Sequence, residues 1–553
     1  MKPTRFSILL LALFMHTVAA HGQGIGGGQV TGNVQIDGQL TRPDSLIGAK
    51  DDPERWLMNA RADILYTNGG FNAGLRFEAY TPPLPGFNAQ YKGQGLANYF
   101  VSYANEQIEV TAGTFYEQFG SGMILRAYED RYIGIDNALL GFNIHARPLK
   151  GVTLKGAIGK QRRYWEYGNG IVRGIDGEID LNTAFSKLEE MPLHITMGAG
   201  FVSRYEADEN IASSTQGYSL KLPLNVGAGA MRMNLAYKGW SLAGEYARKG
   251  QDPNAMNGYI YRKGEALLLS GAYSQKGFSA SVQAKRVDNM GFKSSRRETG
   301  EMLYINYIPA ITKQHTYAFL SMYPYATQAT GEMGLQGDVM YKIKKETLLG
   351  GKYGTDLHFN CSVITGLDTV ALGGAGTEGY SSTFFSTGEL YYGDMSLEIA
   401  RKLDAKNKIA CTYGYVVFNP VIEGHGGGLH HNNVIVADYS RKLGKGKSLR
   451  IEGEWMGSDS HYDSEIDDKR SGDWIMGLVE YNFGGHFFLS LSDQYCYNDG
   501  IGNYYTAAFG YTKNATRLQL SYGKQREGIL CIGGVCRAVP ATNGLTVSLT
   551  TSF

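Results

Sequence analysis

The chain has 553 residues, with 53 Lys plus Arg against 52 Asp plus Glu, 74 Gly, 38 Tyr and only 14 Pro. Balanced charge excludes a basic field for nucleic acid, and the Gly and Tyr content suits strands and turns rather than helices. No apolar run of about 18 residues occurs anywhere, which excludes membrane-spanning helices and leaves strands as the only way to cross a bilayer.

At the amino-terminus, Lys2 and Arg5 precede the apolar stretch Phe6 to Val18 and small residues at Val18-Ala19-Ala20 or Ala20-His21-Gly22. This is the pattern of a secretory signal over residues 1–22, which predicts export through the Sec pathway. Residues 23–553 are then expected to form one domain. Only about ten residues separate the cleavage site from the first strand pattern, so no plug domain is expected ahead of the strands.

From residue 28 onward, apolar residues recur at alternate positions. Met58, Ala60, Ala62, Ile64 and Tyr66 share one face, and Asn59, Arg61, Asp63 and Leu65 the other. Across the turn Thr67-Asn-Gly-Gly70, the run Phe71, Ala73, Leu75, Phe77 alternates with Asn72, Gly74, Arg76 and Glu78. Asn-Gly between two alternating runs is a strong hairpin signal. The pattern returns around Trp240–Tyr246, Phe278–Lys285, Leu449–Trp455 and Arg517–Tyr522.

Short turns recur at Asn68–Gly70, Ala104–Gln107, Pro148–Gly151, Lys187–Leu193, Tyr237–Trp240 and Ser274–Phe278. They continue at Ile311–His315, Lys344–Gly351, Leu403–Lys408, Leu443–Lys447, Asn482–Gly485 and Thr512–Arg517. Longer polar connections lie between them, such as Gly250–Tyr261, Gly424–Asn433 and Ser458–Gly472. Alternating short and long connections predict an all-β fold, a transmembrane antiparallel up-and-down β-barrel. Twelve short turns give about 26 strands, with about 22–26 as the range because registers in residues 120–140 and 345–400 are ambiguous. Propellers and solenoids require a repeat at fixed period, and none is visible.

The chain ends on Gly544-Leu-Thr-Val-Ser-Leu-Thr-Thr-Ser-Phe553, with Leu545, Val547 and Leu549 on one face and hydroxyl residues on the other. It reads as a closing strand that pairs with the first, near residues 28–41, and so removes both edges. Phe553 is then placed at the periplasmic rim as a signal for the barrel-assembly machinery.

Two segments resemble those of an uncharacterised outer-membrane barrel family of Bacteroidota. One is Phe119-Gly-Ser-Gly-Met-Ile-Leu-Arg-Ala-Tyr-Glu-Asp-Arg-Tyr-Ile-Gly-Ile-Asp-Asn-Ala-Leu-Leu-Gly141. The other runs from Gly523-Lys-Gln-Arg through Cys531-Ile-Gly-Gly-Val-Cys536 to the end. The resemblance implies a barrel in the outer membrane and carries no activity or functional residues with it.

Alternation assigns Arg61, Asp63, Arg76, Glu78, Glu245, Lys285, Glu398, Arg450, Glu452, Glu454 and Arg517 to the lumen. Interspersed charges of both signs read first as cross-strand ion pairs, and second as a selectivity lining. Arg126, Glu129, Asp130 and Arg131 sit where an outer loop belongs. Folded inward they would form a constriction; folded outward, a charged strand extension. Lys160, Arg162 and Arg163, with Tyr164 and Trp165, are expected at the outer rim, as a solvated edge or a contact for lipopolysaccharide.

Cys531 and Cys536 flank a tight Ile-Gly-Gly-Val turn, spaced for a disulfide in an oxidising compartment. The Glu423, His425, His430, His431 cluster and the acidic loop Asp459, Asp463, Glu465, Asp467, Asp468 lack rigidity and ordered ligand spacing, so no metal or other cofactor is expected. No nucleophile sits in a recognisable catalytic setting, so no enzymatic role is expected.

A barrel this wide would leak if empty. Two readings follow. In the first, the chain is a porin-like channel for small polar solutes, narrowed by its own loops. In the second, it is a non-catalytic subunit of an outer-membrane assembly, secretion or surface-export complex, closed by periplasmic or lipoprotein partners. Both place the chain among outer-membrane lipids and lipopolysaccharide.

Overall fold

The structure, a computed structural model, describes residues 26–553 apart from 52, 214–216, 374–376, 427, 462–468, 499–501 and 533–534; for 530–532 and 535 it describes the backbone alone. The secretory signal read at residues 1–22 therefore lies outside the described residues.

One 24-stranded antiparallel sheet runs from Gln29–Arg42 to Thr542–Ser552. Each wall strand pairs with its neighbours along the chain, the up-and-down order that alternating connections demand. The first strand pairs with Trp56–Asn68 on one side and with the last strand on the other, with Asn33 opposite Ser552 and Gln35 opposite Thr550. The ladder closes on itself and leaves no edge. Gly32 and Phe553 exchange backbone hydrogen bonds of 3.0 Å. A Cβ on Gly32 would come within 2.1 Å of the Phe553 ring, so glycine here lets the terminal aromatic lie against the seam in this position.

The count of 24 corrects the expected 26. Eleven of the twelve short turns do join wall strands, whereas Ile311–His315 lies in the connection between Phe278–Asp288 and Gly331–Ile343. That connection, residues 289–330, folds into the barrel. Met290, Phe292, Ile305, Ile311, Phe319 and Leu320 are almost completely buried there. A wall strand offers one face to lipid and the other to the lumen, so it alternates. A segment packed on all sides has no reason to, and its apolar residues follow no period of two.

On the wall, Leu75, Leu242, Val282, Leu335, Ile435 and Leu491 are exposed on the outside, while Glu245 and Ala247, of opposite parity, are buried inside. Aromatic rings line the short-turn end. The Trp240 and Tyr273 rings lie tilted with centroids 4.7 Å apart, Tyr273 and Phe278 tilted at 6.3 Å, and Phe278 and Tyr341 edge-on at 6.5 Å. A second group places Phe487 4.8 Å from Tyr511. An apolar belt bordered by an aromatic row is the surface a bilayer selects. With strands ~4.8 Å apart and tilted about 40°, the wall encloses a circle roughly 48 Å across. What fills that circle is the functional question.

Candidate functional site

The first filling is residues 116–138. Phe119, Met123, Ile124 and Leu125 are buried against Val172, Val202, Ala228, Ala247, Ala266 and Val287 of the inner wall. Small wall residues leave space for the loop's larger side chains to close-pack. Gly120 turns at φ +54, and Glu245 of the wall accepts the Ser121 amide at 2.8 Å. Glu245 thus holds the loop down.

Beyond this apolar contact lies a closed network of charge. Arg76 meets Asp63 at 2.5 Å and Glu129 at 3.1 Å. Arg61 also pairs with Glu129. Arg131 reaches Asp63 at 3.4 Å and Glu129 at 3.2 Å. Arg162 bridges Glu78 at 2.7 Å and Asp136 at 2.6 Å. Four guanidiniums face four carboxylates, each paired; Arg162, Glu78 and Asp136 are almost fully buried, where only pairing can hold charge away from water, while Arg131 and Asp63 stay partly exposed. Glu78, Glu129 and Asp136 are close enough to share a cation, but three arginines already neutralise them.

The second filling is residues 289–330, bonded to the first. Asn306 donates to the carbonyls of Met123 at 3.1 Å and Met290 at 2.9 Å. The Arg126 amide donates to Ile305 O at 2.8 Å, and Tyr307 N to Gly122 O at 2.9 Å. The Arg126 guanidinium sits 4.0 Å from the Tyr307 ring and 4.7 Å from Tyr128. Two loops distant in sequence therefore make one body. Lys293, within the second loop, stacks 4.2 Å from Tyr304. Burial pushes its ammonium down to about 8, against the pull of Glu301 and Glu298.

Wall charges hold this second loop as well. Lys285 pairs with Glu332 at 2.5 Å and donates to Pro309 O at 2.6 Å. Glu454 accepts both the Ala318 and Phe319 amides at 2.9 Å. His315 meets Asp394 at 2.5 Å. Of the remaining charges assigned to the lumen, Arg450 pairs with Asp438 at 2.9 Å and also with Glu452. Glu398 and Arg517 lie on the inward parity, opposite to exposed Leu397 and Leu520.

The four loop residues Arg126, Glu129, Asp130 and Arg131 lie inside the barrel with these partners, Asp130 accepting the Tyr132 amide at 2.9 Å. The inward course of residues 289–330 was hidden in the sequence because a plausible turn interrupts it. Its signal was the absence of alternation over the whole connection.

Two of the cavities among the described residues lie beside these loops. One, of about 700 Å³, lies toward the long-loop end between residues 310–325 and the wall strands Tyr380–Lys402, Phe487–Cys496, Gly502–Lys513 and Thr516–Gln525. The other, of about 770 Å³, lies toward the short-turn end and is lined by Asp63, Arg76, Asn98, Asn143 and His145, among others.

Other expected features fall elsewhere. Arg162 and Tyr164 are buried rather than at a solvated rim, and the Trp165 indole donates to Tyr91 O at 2.7 Å. Of the three basic residues read as a rim, Arg162 alone belongs to the buried clamp; Lys160 is exposed, and Arg163 pairs with Glu298 at 2.9 Å. Glu423 pairs with Arg470 at 2.6 Å and His431 with Asp459 at 2.6 Å, while His430 packs on Phe418 and Tyr323. Asp463, Glu465, Asp467 and Asp468 lie outside the described residues. Cys531 stands opposite Cys536 in the two-stranded hairpin Gly528–Ile532 and Val535–Val539; the side chain of Cys531 lies outside those described.

A family model described as a family of unknown function (DUF6029) matches residues 3–553. No curated protein matches the chain. Among solved structures, the chain is similar to a doubly substituted OccD1 (OprD), at 9 % identity, 97 % of each chain and a TM-score of 0.36. It is similar to the siderophore receptor PirA of Pseudomonas aeruginosa, at 9 % identity, over 95 % of this chain and 80 % of that one, with a TM-score of 0.42. It is also similar to OccAB4 of Acinetobacter baumannii, at 9 % identity, 95 % and 98 %, and 0.34.

Proposed function

From the premise that the chain belongs to DUF6029, a family of unknown function, we propose that it is an outer-membrane channel for small polar solutes, narrowed by its own loops. The short turns then face the periplasm and the long connections the exterior. The observation that carries this reading is the lumen itself. Residues 116–138 and 289–330 are tied to the wall by Glu245, Glu454, Lys285 and the arginine clamp, and space with polar residues among its lining remains on both sides of them. A width of roughly 48 Å would be an open hole; loops of this size reduce it to passages of solute dimensions.

The alternative, a non-catalytic subunit of a larger assembly, draws less support, because the chain's own loops occupy the space that a partner would have to close. Lipopolysaccharide and outer-membrane lipids remain the proposed surroundings, and Phe553 the proposed assembly signal. Purified protein in a planar bilayer provides the test. Steady conductance well below that of an unobstructed barrel is expected. Electrical silence across preparations that are folded would overturn the channel and restore the assembly subunit.

A further inference from the structure

Charge is shared unevenly between the two ends of the wall. Seven consecutive short turns, from residues 150–151 to 445–446, each carry at least one exposed lysine. Lys150, Lys187, Lys238, Lys276, Lys406 and Lys445 hold one turn each, and residues 344–354 hold three. Against these nine stand Glu189, Glu190, Glu346 and Asp404, and Asp404 already accepts the amides of Lys406 and Asn407 at 2.7 and 2.9 Å. None of the nine lysines forms an ion pair among the described residues. At the long-connection end, by contrast, pairs are common. Lys92 meets Glu54 at 2.9 Å, Arg204 meets Asp252 at 2.7 Å, and Lys524 meets Asp44 at 2.7 Å.

A second observation comes from the backbone. Lys238 and Lys445 begin two-residue turns at φ +51, a left-handed conformation that Gly, Asn and Asp adopt at least cost. Asn514, at φ +52, begins the turn after Gly502–Lys513 and shows the residue that the geometry prefers. Turn chemistry alone therefore does not select lysine at these two positions. The aromatic row fixes their depth. The Lys238 ammonium lies 5.1 Å from the Tyr237 ring, and Lys276 stands two residues before Phe278 of that row. Such rings sit at the level of lipid headgroups, and the ammonium groups beside them do too.

We propose that the short-turn end is a cationic collar for anionic phospholipid headgroups in the leaflet it meets. Turns of two residues barely project beyond the strands, so they reach headgroups rather than the solvent above them. The array also follows the wall for fourteen of its 24 strands, from Leu139–Leu149 to Lys447–Ser458. A protein partner of ordinary size covers one patch of about 800 Å² per side, whereas lipids surround the whole wall. Ammonium groups near an anionic bilayer surface each add to the attraction. The proposal rests on the wall spanning a bilayer and is independent of conduction.

Spin-labelled lipids test it, with the purified full-length protein in phosphatidylcholine vesicles carrying a trace of labelled phosphatidylglycerol or labelled phosphatidylcholine. The motionally restricted part of the spectrum reports the lipid held against the wall. Phosphatidylglycerol is expected to be favoured about threefold at low salt. The preference should fall towards parity in about 1 M salt, where screening shortens to roughly 3 Å. Glutamine in place of the lysines of the six singly occupied turns should bring the ratio close to one. Lys238→Asn with Lys445→Asn suits the φ of both turns, so it folds even where the larger replacement does not, and it should remove part of the preference. Lys92→Gln, at the long-connection end, should change nothing. Equal restriction of the two labels overturns the collar and leaves an acidic periplasmic protein as the occupant. A preference that survives the glutamine replacement overturns it as well. Absence of any restricted lipid would remove the membrane-spanning wall itself, and the collar with it.

Discussion

The two sides of the lumen differ in where their loops leave space. Against the wall formed by Trp56–Asn68, Phe71–Tyr80 and Val152–Arg163, every guanidinium of the clamp has a carboxylate and residues 116–138 pack on the wall, leaving the cavity of about 770 Å³ at the short-turn end. Against Tyr380–Lys402, Gly502–Lys513 and Thr516–Gln525, apolar packing stops short of filling the space, and His315 and Lys524 on its lining take their carboxylates, Asp394 and Asp44, from just outside it. The same loop serves both. Its earlier part, with Met290, Phe292 and Ile305, packs on the sealed side, and its later part, with Ile311, Phe319 and Leu320, on the open one. Paired charge holds the loops to the wall on both sides, and the two differ in where the remaining space lies.

The sharpest way to break this contrast is to remove the centre of the clamp. Arg162 is held between Glu78 and Asp136, all three nearly free of solvent contact. Arg162→Ala strands two buried carboxylates, which costs about 3–5 kcal/mol where one partner of a buried pair is lost. A lowered melting temperature and a larger single-channel conductance are expected together. An unchanged melting temperature would mean that water already screens these charges, and the sealed side would then be no more sealed than the other.

How much of this was legible beforehand depends on which side of the wall a residue faces. Lipid-facing and lumen-facing positions alternate strictly, so Leu75 against Arg76 and Leu242 against Glu245 could be sorted by parity alone. The closing pair of Gln29–Arg42 with Thr542–Ser552 followed from the same rule. Inward loops obey no such period. Arg126 was noticed for its charge, yet its place between Tyr128 and Tyr307 depends on a contact across residues far apart in sequence. Arg162, read as part of a rim, is buried because Glu78 and Asp136 converge on it from two other elements, which no local pattern encodes.

A smaller effect is expected from loosening the loop on the open side. Glu454 accepts the amides of Ala318 and Phe319. Glu454→Ala removes charge-assisted bonds worth about 1.5–3 kcal/mol each before relaxation, and water entering the cavity returns part of that, leaving a loss of about 2–3 kcal/mol. The wall should stay folded while residues 310–325 become open to limited proteolysis. Should proteolysis instead cut first within 116–138, the assignment of Glu454 to one side alone would fail.

The smallest effect concerns the hairpin that joins the two sides. It leaves the strand Thr516–Gln525 on the open side and reaches across to residues 81–92 on the sealed one. There the Arg537 guanidinium lies 4.2 Å from the Phe87 ring, and a Cβ on Gly86 would stand 2.9 Å from Ala538 O. Cys531 and Cys536 face each other in its register, and we expect them to be bridged. Such a short closed loop gains about 2 kcal/mol at most from the bridge, and the gain stays in the hairpin, because no wall strand depends on it. In a background with the exposed Cys361 and Cys411 replaced by Ser, a maleimide probe on unreduced cells should label neither residue. Labelling of both would discard the bridge. Reduction should then raise conductance slightly and leave the barrel's melting temperature in place, since it frees a strap across the mouth, which lines the 700 Å³ cavity through Ile529, without touching the clamp. A large drop in melting temperature on reduction would show that the strap, rather than the loops beneath it, holds the two sides together.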